Sequence, residues 1–352
     1  MTAHLDRRLS VAPMMGRTDR HCRYFLRGFS ARMLLYTEMI AAADLLQGDC
    51  ARRLEFDPEE HPVALQLGGC DPQELAAAAR AGEQAGYDEI NLNCGCPSDK
   101  ATGRVFGAYL MQQPETVVAC VAAMRAAVHV PVTVKMRIGV IEGRGRGAVE
   151  ASRRFDDAER SALHGLVGAI RDAGCDAVIV HARKAVLGGL SAQDNREIPP
   201  LRYDIVSELK KEFPDLPVVI NGGLREPEAI LQALGSLDGV MLGREAYHRP
   251  LVLAQLDAFL SGVGPVSGNP RSGAEAPAIV ARTHAIERMR RYTERQLARG
   301  EKLAAVVRHL QGLYAGEPGA DEFRRALSVG AHRPGAGAEV LQEAVARASL
   351  AG

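Results

Sequence analysis

The stretch VALQLGGCDPQELAAAARAGEQAGYDEINLNCG, residues 63–95, contains a strand, a helix and a second strand in succession. Its apolar runs at Val63–Gly69 and Glu89–Gly95 are typical of buried strands, and they stand too far apart for a hairpin. The segment between them, Pro72–Ala85, has helical composition, and Asp71 stands where a helix-start residue belongs. The stretch therefore predicts two strands joined by a helical crossover.

Runs of the same kind recur along the whole chain. The eight predicted strands are Leu9–Met15, Met33–Met39, Val63–Gly69, Glu89–Gly95, Val132–Gly139, Ala177–Arg183, Val218–Gly223 and Gly239–Arg244. Further helical segments are Pro114–Ala127, Asp157–Asp172, Tyr203–Glu212 and Glu226–Leu234. Eight strands, each followed by a helix, predict an α/β fold of the TIM (β/α)8 barrel type. A doubly wound open sheet with about five to seven strands is the alternative.

The strand–helix pattern ends near residue 260, and we expect the barrel to span 1–260. Residues 261–277 are rich in Gly, Pro and Ser and predict a linker. A helical domain is predicted over 278–335, followed by a C-terminal extension over 336–352. The segments with helical composition in this region are Ala278–Arg299, Lys302–Tyr314 and Ala320–Leu327, and the pattern is weaker at Gly337–Ala348.

Composition excludes several classes of protein. Lys+Arg and Asp+Glu both number 43, so the net charge is zero. The overall charge therefore gives no indication of a nucleic-acid-binding surface. Hydrophobic residues at 47% and charged residues at 24% are typical of a globular protein and exclude a disordered chain. No apolar run reaches ~18 residues and the N-terminus is polar, so neither a membrane span nor a signal peptide is predicted. Seven scattered cysteines indicate reduced thiols and a cytoplasmic protein.

Polar residues stand at the predicted strand ends, where barrel enzymes carry their catalytic groups. Gln66 and His181 have the hydrogen-bonding groups to hold a flat heterocycle. Cys96 lies in a loop before a proline, where a thiol can act as an acid. Cys94 and Cys96 lack a second cysteine pair with ligand spacing, so no metal site is predicted.

Lys135 stands inside a predicted strand, although only six residues of this chain are lysines. A lysine in a buried strand is costly without a partner. It could form a Schiff base, or supply a cation beside a developing negative charge. An ion pair in the barrel floor is the structural alternative.

Glycines follow the last two predicted strands, where many barrels bind phosphate. Asn221-Gly222-Gly223 and Gly243-Arg244 combine close backbone approach with a fixed positive charge, although a glycine pair also suits a tight turn. No GxGxxG motif follows a strand, which leaves a Rossmann dinucleotide site without support.

Five longer strings resemble the tRNA-dihydrouridine synthases. They are APMMGRTDRHCRYF (12–25), LNCGCPSDKATGRVFGAYLM (92–111), VKMRIG (134–139), HARKAVLGGLSAQDNREIPPL (181–201) and NGG (221–223). HARKA followed by NREIPPL resembles the A subfamily in particular. The resemblance implies an FMN-binding TIM barrel, a small helical domain, a tRNA substrate and NADPH as reductant. We expect a monomer.

The resemblance also implies roles for individual residues. Hydride passes from FMN to C6 of a uridine while Cys96 protonates C5; the subfamily implies D-loop uridines 20 and 20a. Asn93 is placed near the target uracil, and Arg183 and Lys184 are expected to approach tRNA. The implied FMN contacts are Ala12, Pro13 and Met14 beside the ring, Gln66 and Lys135 at its pyrimidine edge, His181, and a phosphate cradle of Asn221, Gly222, Gly223, Gly243 and Arg244.

Basic residues outnumber acidic ones in the predicted helical domain, with 11 Arg and Lys against 6 Asp and Glu over residues 280–333. Arg288, Arg291 and Arg295 recur at helical spacing, and Met289 lies on the opposite face. Such a stripe is usually a solvated face. With the resemblance, we interpret it as an outward-facing tRNA contact.

Three features depart from the family pattern. Residues 141–155 are longer and more Arg/Gly-rich than expected after VKMRIG, and we predict a solvated loop around Gly143–Gly147. Val186 stands where the subfamily often has an aromatic residue. The tail after Leu327 has no clear counterpart, which predicts a flexible extension.

Two other functions remain open. One is a barrel lyase that forms a Schiff base on Lys135. The other is a tRNA-binding protein that aids RNA folding without turnover.

Overall fold

The computed structural model describes residues 5–97, 106–262 and 275–351. Eight parallel strands form a closed barrel, because each pairs with the next along the chain and the last pairs with the first. They are β1 Leu9–Val11, β2 Leu34–Tyr36, β3 Val63–Gly68, β4 Glu89–Cys94, β5 Val132–Arg137, β6 Ala177–His181, β7 Val218–Asn221 and β8 Gly239–Leu242. This closure confirms the TIM barrel and excludes the open sheet.

The strands begin at or one residue after their predicted starts and end one to four residues before their predicted ends. The difference lies in the residues that leave the ladder to form the loops, such as Pro13–Met15 after β1. Buried side chains from β2, β3, β6, β7 and β8, together with Ala12 just after β1, form a cluster in the barrel interior. This cluster contains Ala12, Leu34, Tyr36, Ala64, Ile179, Val219 and Met241.

Helix starts follow local capping chemistry. The side chain of Asp71 accepts from the backbone N–H groups of Gln73 and Glu74, and Asp156 forms a capping box with Glu159. The helices among and after the strands are Arg20–Arg27, Ala42–Gln47, Cys50–Arg53, Pro72–Gln84, Pro114–Ala127, Gly145–Arg153, Asp157–Asp172, Tyr203–Glu212, Pro227–Leu234, Arg244–His248 and Leu251–Leu260. Short 3₁₀ helices are Pro58–Glu60, Gly107–Gln112, Asp194–Arg196 and Arg308–Gly312. A two-residue strand, Ile40–Ala41, pairs with β3.

Residues 140–155 form a small element that we call the flap. Its strand Val140–Glu142 pairs in parallel with Ala185–Leu187, and its helix spans Gly145–Arg153. The prediction of a loop at Gly143–Gly147 is therefore wrong from residue 145 onward. The helix forms because Ala148 and Ser152 are buried on one side, an amphipathic pattern hidden by the surrounding glycines and arginines.

The chain divides into two compact units. The first gathers the described residues of 1–15, 34–56 and 61–242; the second gathers those of 16–33, 57–60 and 243–352. The second unit thus includes two segments from between the early strands, which a division in chain order does not anticipate. Most of the predicted linker, 261–277, lies outside the described residues.

The second unit is helical. Its later helices are Glu275–Ala298, Leu303–Val307, Ala320–Gly330 and Glu339–Ala351. In the last of these Val340, Leu341 and Ala344 are buried. A flexible tail is therefore the wrong prediction for residues 339–351, because this helix buries its apolar side. No described helix is both long and apolar enough to cross a membrane.

Candidate active site

The predicted site residues of β3 to β6 lie side by side at the carboxyl ends of the strands. The register pairs Gln66 with Asn91, Asn93 with Lys135 and Arg137 with His181. Parallel pairing therefore brings together residues that are far apart in the chain.

An amide network joins the first of these side chains. The Nδ2 group of Asn93 donates to Oε1 of Gln66 at 2.9 Å, and Nε2 of Gln66 donates to Oδ1 of Asn91 at 2.8 Å. All three residues are buried. Their amides are therefore held in one orientation, which presents fixed donors and acceptors toward the site.

The same network continues to the barrel floor. Asn91 donates to Thr133 at 2.8 Å, and Thr133 donates to Glu89 at 2.6 Å. Glu89 also accepts from Tyr36 at 2.5 Å and from Arg7 at 2.7 Å. Glu89 and Asn91 are not among the site residues predicted from the sequence. Their alternation with Asn93 along a strand was the available signal, since an inward face of three polar residues is unusual.

The backbone of Cys96 is held from two sides. Oδ1 of Asn93 accepts from the N–H groups of Gly95 and Cys96, both at 3.0 Å. The carbonyl of Cys96 accepts from Ala108 at 2.8 Å, and a Cβ on Gly107 would lie 2.4 Å from that carbonyl oxygen. Only glycine, at φ +67°, permits this approach. Residues 98–105, the middle of the family-like string, lie outside the described residues.

The two thiols of this strand end differ in access. Cys94 is buried, and burial raises the pKa of its thiol far above the usual range. Cys96 is half-buried. Cys96 is therefore the thiol that a bound substrate could reach.

Lys135 is half-buried between the Cys96 loop and His181. Burial, reinforced by the charge of Arg137, lowers the pKa of its ammonium to about 7. Within the described chain, no carboxylate forms an ion pair with it. The barrel-floor ion pair is therefore not formed by Lys135, and its charge is available to a ligand.

Arg137 fastens the end of β5. It is 3% exposed, and its guanidinium donates to the carbonyls of Gly95, Lys184 and Asn195 at 3.1, 3.3 and 2.9 Å. It therefore supports the Cys96 loop and places a positive charge beside Lys135.

His181 is a neutral imidazole. Burial, with the charges of Arg137 and Lys135, holds its pKa well below the usual range. Its Nδ1 is buried and has no hydrogen-bond partner in the described part of the chain. A buried ring nitrogen without a partner is costly, so this atom suits a ligand's hydrogen bond.

A glycine cradle follows β7. Gly222 and Gly223 have φ angles of +113° and +70°, and a Cβ on Gly222 would lie 3.1 Å from Nε2 of His181. The hydroxyl of Tyr203 fixes this turn by donating to the Gly222 carbonyl at 2.7 Å. Among described residues, the amide N–H groups of these two glycines have no acceptor. This geometry suits a phosphate.

The remaining predicted cofactor contacts follow β1, β7 and β8. Ala12 is buried and its N–H donates to the Leu242 carbonyl at 2.8 Å, while Pro13 and Met14 are half-buried. Asn221 donates to the carbonyl of Met241 at 2.8 Å. Gly243 and Arg244 come directly after β8, in the second unit.

Lys184 does not lie at the surface, which contradicts the prediction that it approaches tRNA. Its side chain is 2% exposed, its ammonium pairs with Glu159, and its nitrogen lies 5.2 Å from the ring centroid of Phe155. Lys184 is buried because it pairs with Glu159, which lies on the helix Asp157–Asp172 that precedes β6. Arg183, by contrast, is half-buried beside His181 and Tyr203.

The arginine stripe belongs to the Glu275–Ala298 helix of the second unit. Arg288 is only 17% exposed, because its guanidinium lies 4.1 Å from the ring centroid of Tyr24 and pairs with Glu59. An outward-facing Arg288 is therefore a wrong prediction. The helix buries Met289, as expected, and also Tyr292.

Arg291 and Arg295 are more accessible. Arg291 is 68% exposed and pairs with Glu287 of its own helix at 2.9 Å. Arg295 is 48% exposed and lies 3.2 Å from Asp57. Exposed pairs such as Arg291–Glu287 contribute little to stability, so Arg291 can exchange partners. Arg295 is held more firmly, because it also donates to the Tyr24 hydroxyl at 3.3 Å, but about half of its side chain stays exposed.

The site can hold a flat heterocycle with a phosphate tail. The amides, Lys135 and His181 can hydrogen-bond the ring, and the glycine turn fits the phosphate. Among the described residues, no group of three His, Cys, Asp or Glu side chains could hold a metal ion. The residues present thus fit a flavin mononucleotide.

Comparison with known proteins gives consistent matches. The family model described as dihydrouridine synthase (Dus) matches residues 10–349, which includes the tail after Leu327. A tRNA-dihydrouridine(20/20a) synthase of Pseudomonas aeruginosa is 49% identical over 343 residues, covering 97% of this chain and 96% of that protein. Proteins of the same name from Vibrio cholerae and Synechocystis sp. are 45% and 48% identical and cover 97% and 96% of this chain.

A solved structure of 2-naphthoyl-CoA reductase with 2-naphthoyl-CoA shares the fold. The TM-score is 0.50 at 11% sequence identity, over 72% of this chain. The match spans half the length of that reductase. It supports the barrel architecture alone.

Proposed function

This chain belongs to the dihydrouridine synthase family of flavin oxidoreductases, and from that membership we propose that it reduces the C5–C6 double bond of D-loop uridines in tRNA. The relatives that share about half of its residues are named for positions 20 and 20a, and we assign the same positions here. A cytoplasmic location and a monomeric state stay predictions.

The cofactor we propose is FMN. When bound and reduced by NADPH, it supplies the hydride that C6 of the uridine receives. The glycine turn at Gly222 and Gly223 would hold its phosphate, and Gly243 and Arg244 stay predicted phosphate contacts from the resemblance. Gln66 and His181 would hydrogen-bond its ring, and Lys135 would place a positive charge at the pyrimidine edge. Ala12, Pro13 and Met14 would lie beside the ring.

Cys96 is the proposed acid. Its thiol would give a proton to C5 while C6 receives hydride, so that the thiolate left behind regains its proton from solvent. A free thiol has a pKa of ~8.5 and is protonated near neutral pH. The half-buried position of Cys96 supports this role, whereas Cys94 is closed to substrate.

The bonds of Asn93 carry this proposal. The side-chain oxygen of Asn93 accepts a hydrogen bond from the backbone N–H of Cys96, and its side-chain nitrogen donates to Gln66. One side chain therefore links the proposed acid to the proposed pyrimidine-edge contact, which supports the proposal. Asn93 would also lie against the target uracil, as the resemblance implies.

The substrate is a nucleotide within a folded RNA, so the uridine must leave its stack to reach the barrel. Arg183 lies beside His181 and is proposed to contact the RNA. Arg291 and Arg295 of the second unit are proposed to bind its backbone. Arg288 and Lys184 are better explained by their protein partners, Glu59 and Glu159.

The decisive experiment compares Cys96→Ala with Cys94→Ala. For Cys96→Ala we expect bound flavin and normal bleaching by NADPH, with uridine reduction lowered by roughly 10²–10⁴-fold. For Cys94→Ala we expect reduction within a few fold of wild type, because that thiol is buried away from solvent. The assay measures dihydrouridine at positions 20 and 20a in tRNA that lacks it. If Cys96→Ala reduced uridine as fast as Cys94→Ala and the wild type, Cys96 would not be the acid.

A Schiff-base lyase is the second candidate, since the lowered pKa of Lys135 also suits an amine nucleophile. A purified protein that is yellow, with absorbance near ~450 nm, favours the flavin. Borohydride trapping of a carbonyl substrate on Lys135, in a colourless protein, favours the lyase. An RNA-folding aid without turnover would leave dihydrouridine unchanged in a deletion strain.

A further inference from the structure

The flap carries exposed arginines. Arg144, Arg146 and Arg154 are exposed, and in the described chain none of them forms an ion pair with a carboxylate. Arg144 donates one guanidinium N–H to the Gly188 carbonyl at 2.9 Å, which leaves its remaining donors to solvent. The first turn of the flap helix has no acidic residue to offset these charges. Residues 140–155 contain four arginines and two glutamates, so the flap has a local excess of positive charge in a chain with no net charge.

The base of the flap is built into the structure that holds Cys96. Ala108, whose N–H donates to the Cys96 carbonyl, shares a buried cluster with Ala185 and Leu187. Val140 of the flap packs against that cluster. One apolar cluster therefore joins the flap to the loop of the proposed acid.

The flap strands also continue from the barrel strands that carry the site. Val140 follows three residues after Arg137, the last residue of β5, and Ala185 follows four residues after His181 in β6. Gly143 and Gly189 approach closely, since a Cβ on Gly189 would lie 2.3 Å from the Gly143 carbonyl oxygen. This close fit fixes the flap helix at the carboxyl end of the barrel.

We propose that the flap is an RNA-binding element whose arginines hold backbone phosphates next to the uridine at Cys96. The inference rests on the proposed function. A uridine bound there belongs to a polynucleotide, so the phosphates on either side of it must lie at the barrel mouth. Exposed guanidinium groups beside that mouth are suited to bind them.

The test uses full-length flavoprotein and an unmodified tRNA transcript. Arg146→Ala with Arg154→Ala removes two flap charges, and Arg80→Ala with Lys211→Ala removes two charges from exposed sites on the outer helices. The flap variant should bind tRNA roughly 10–50-fold more weakly at ~0.1 M salt, with the slope of log Kd against log salt reduced by about 1.5. The outer-helix variant should change Kd by less than about twofold. Arg146→Lys with Arg154→Lys should keep most of the salt slope.

Flavin content and thermal unfolding check that the variants fold. If the double variant does not fold, Arg146→Ala alone replaces it in the test, with half the expected change in slope. Unchanged tRNA affinity and slope would overturn the inference while dihydrouridine formation still supports the proposed function. A raised KM for NADPH with unchanged tRNA affinity would overturn it too, by assigning the arginines to a nicotinamide phosphate. Weakened tRNA binding by a protein that forms no dihydrouridine would support the flap and refute the proposed function.

Discussion

Replacing Lys135 by Met should stabilise the flavin-free protein. Lys135 has no carboxylate partner among the described residues, and the desolvation of its ammonium lowers its pKa from about 10.5 to about 7, which is costly to the folded protein. Methionine has a similar length and no charge, so it removes the cost without opening a large cavity. A substitution at the proposed site is thus expected to raise stability while it impairs flavin binding.

The magnitude follows from the pKa shift. Each pKa unit corresponds to about 1.4 kcal/mol, so a shift of this size costs about 4–5 kcal/mol at or below pH 7. Water penetration and relaxation reduce such penalties, and we expect a gain of about 2–4 kcal/mol for Lys135→Met. For a chain of this length that corresponds to a rise in Tm of about 3–5 °C.

The pH dependence has a definite sign. Between pH 7 and 10 the unfolded chain holds the Lys135 proton and the folded chain does not, so the stability of the wild type should rise with pH. The advantage of Lys135→Met is largest below pH 7 and should fall by about half at pH 9.

Thermal unfolding of the flavin-free proteins between pH 6 and 9 measures these changes. Lys184→Met is the matched control, because Lys184 is a buried lysine that pairs with Glu159. That variant should lose about 1–2 kcal/mol, since it leaves a carboxylate without its partner. If Lys135→Met lowered the Tm as Lys184→Met does, Lys135 would have a stabilising partner and the argument for a ligand-directed charge would fail.

Three further predictions test other parts of the site. Gly222→Ala places a Cβ 3.1 Å from the His181 ring at φ +113°, so strain of about 1–3 kcal/mol should weaken flavin binding at least tenfold, as a fluorescence titration would show; unchanged affinity would argue against the phosphate cradle. Asn93→Ala leaves two backbone N–H groups without their acceptor and should lower kcat for uridine reduction more than it lowers flavin affinity; equal losses in both would mean that Asn93 only supports the fold. Arg291→Ala with Arg295→Ala should weaken tRNA binding and make its salt dependence shallower, measured by binding at several salt concentrations, whereas an unchanged slope would return both residues to ordinary surface.

The fold was largely predictable because its signals are local. Alternating apolar runs, proline at helix starts and capping aspartates such as Asp71 act within a few residues, so strand and helix positions were readable in order. The predicted ends of the strands were less accurate than their starts. The residues just after the last hydrogen-bonded position are mostly apolar, glycine or proline, so composition does not show where the pairing stops. The flap helix was missed because its buried face consists of small residues, Ala148 and Ser152.

The candidate site was predicted in part. The motifs identified Cys96, Lys135 and the glycines as residues of interest, and the closed barrel places those of β3 to β7 at one end. The chain alone did not reveal that one amide of Asn93 holds both Cys96 and Gln66. Hydrogen bonds between strands depend on register, which local composition does not specify.

By itself, then, the sequence determined the order of strands and helices, the family motifs and the residue types at the strand ends, because these follow from short-range patterns. Only the tertiary structure decided which charges are available. Lys184 and Arg288 looked like cations for RNA, yet each is covered by an aromatic ring and a carboxylate brought from elsewhere in the chain. Burial and pairing depend on contacts between distant segments, and such contacts exist only once the chain has folded.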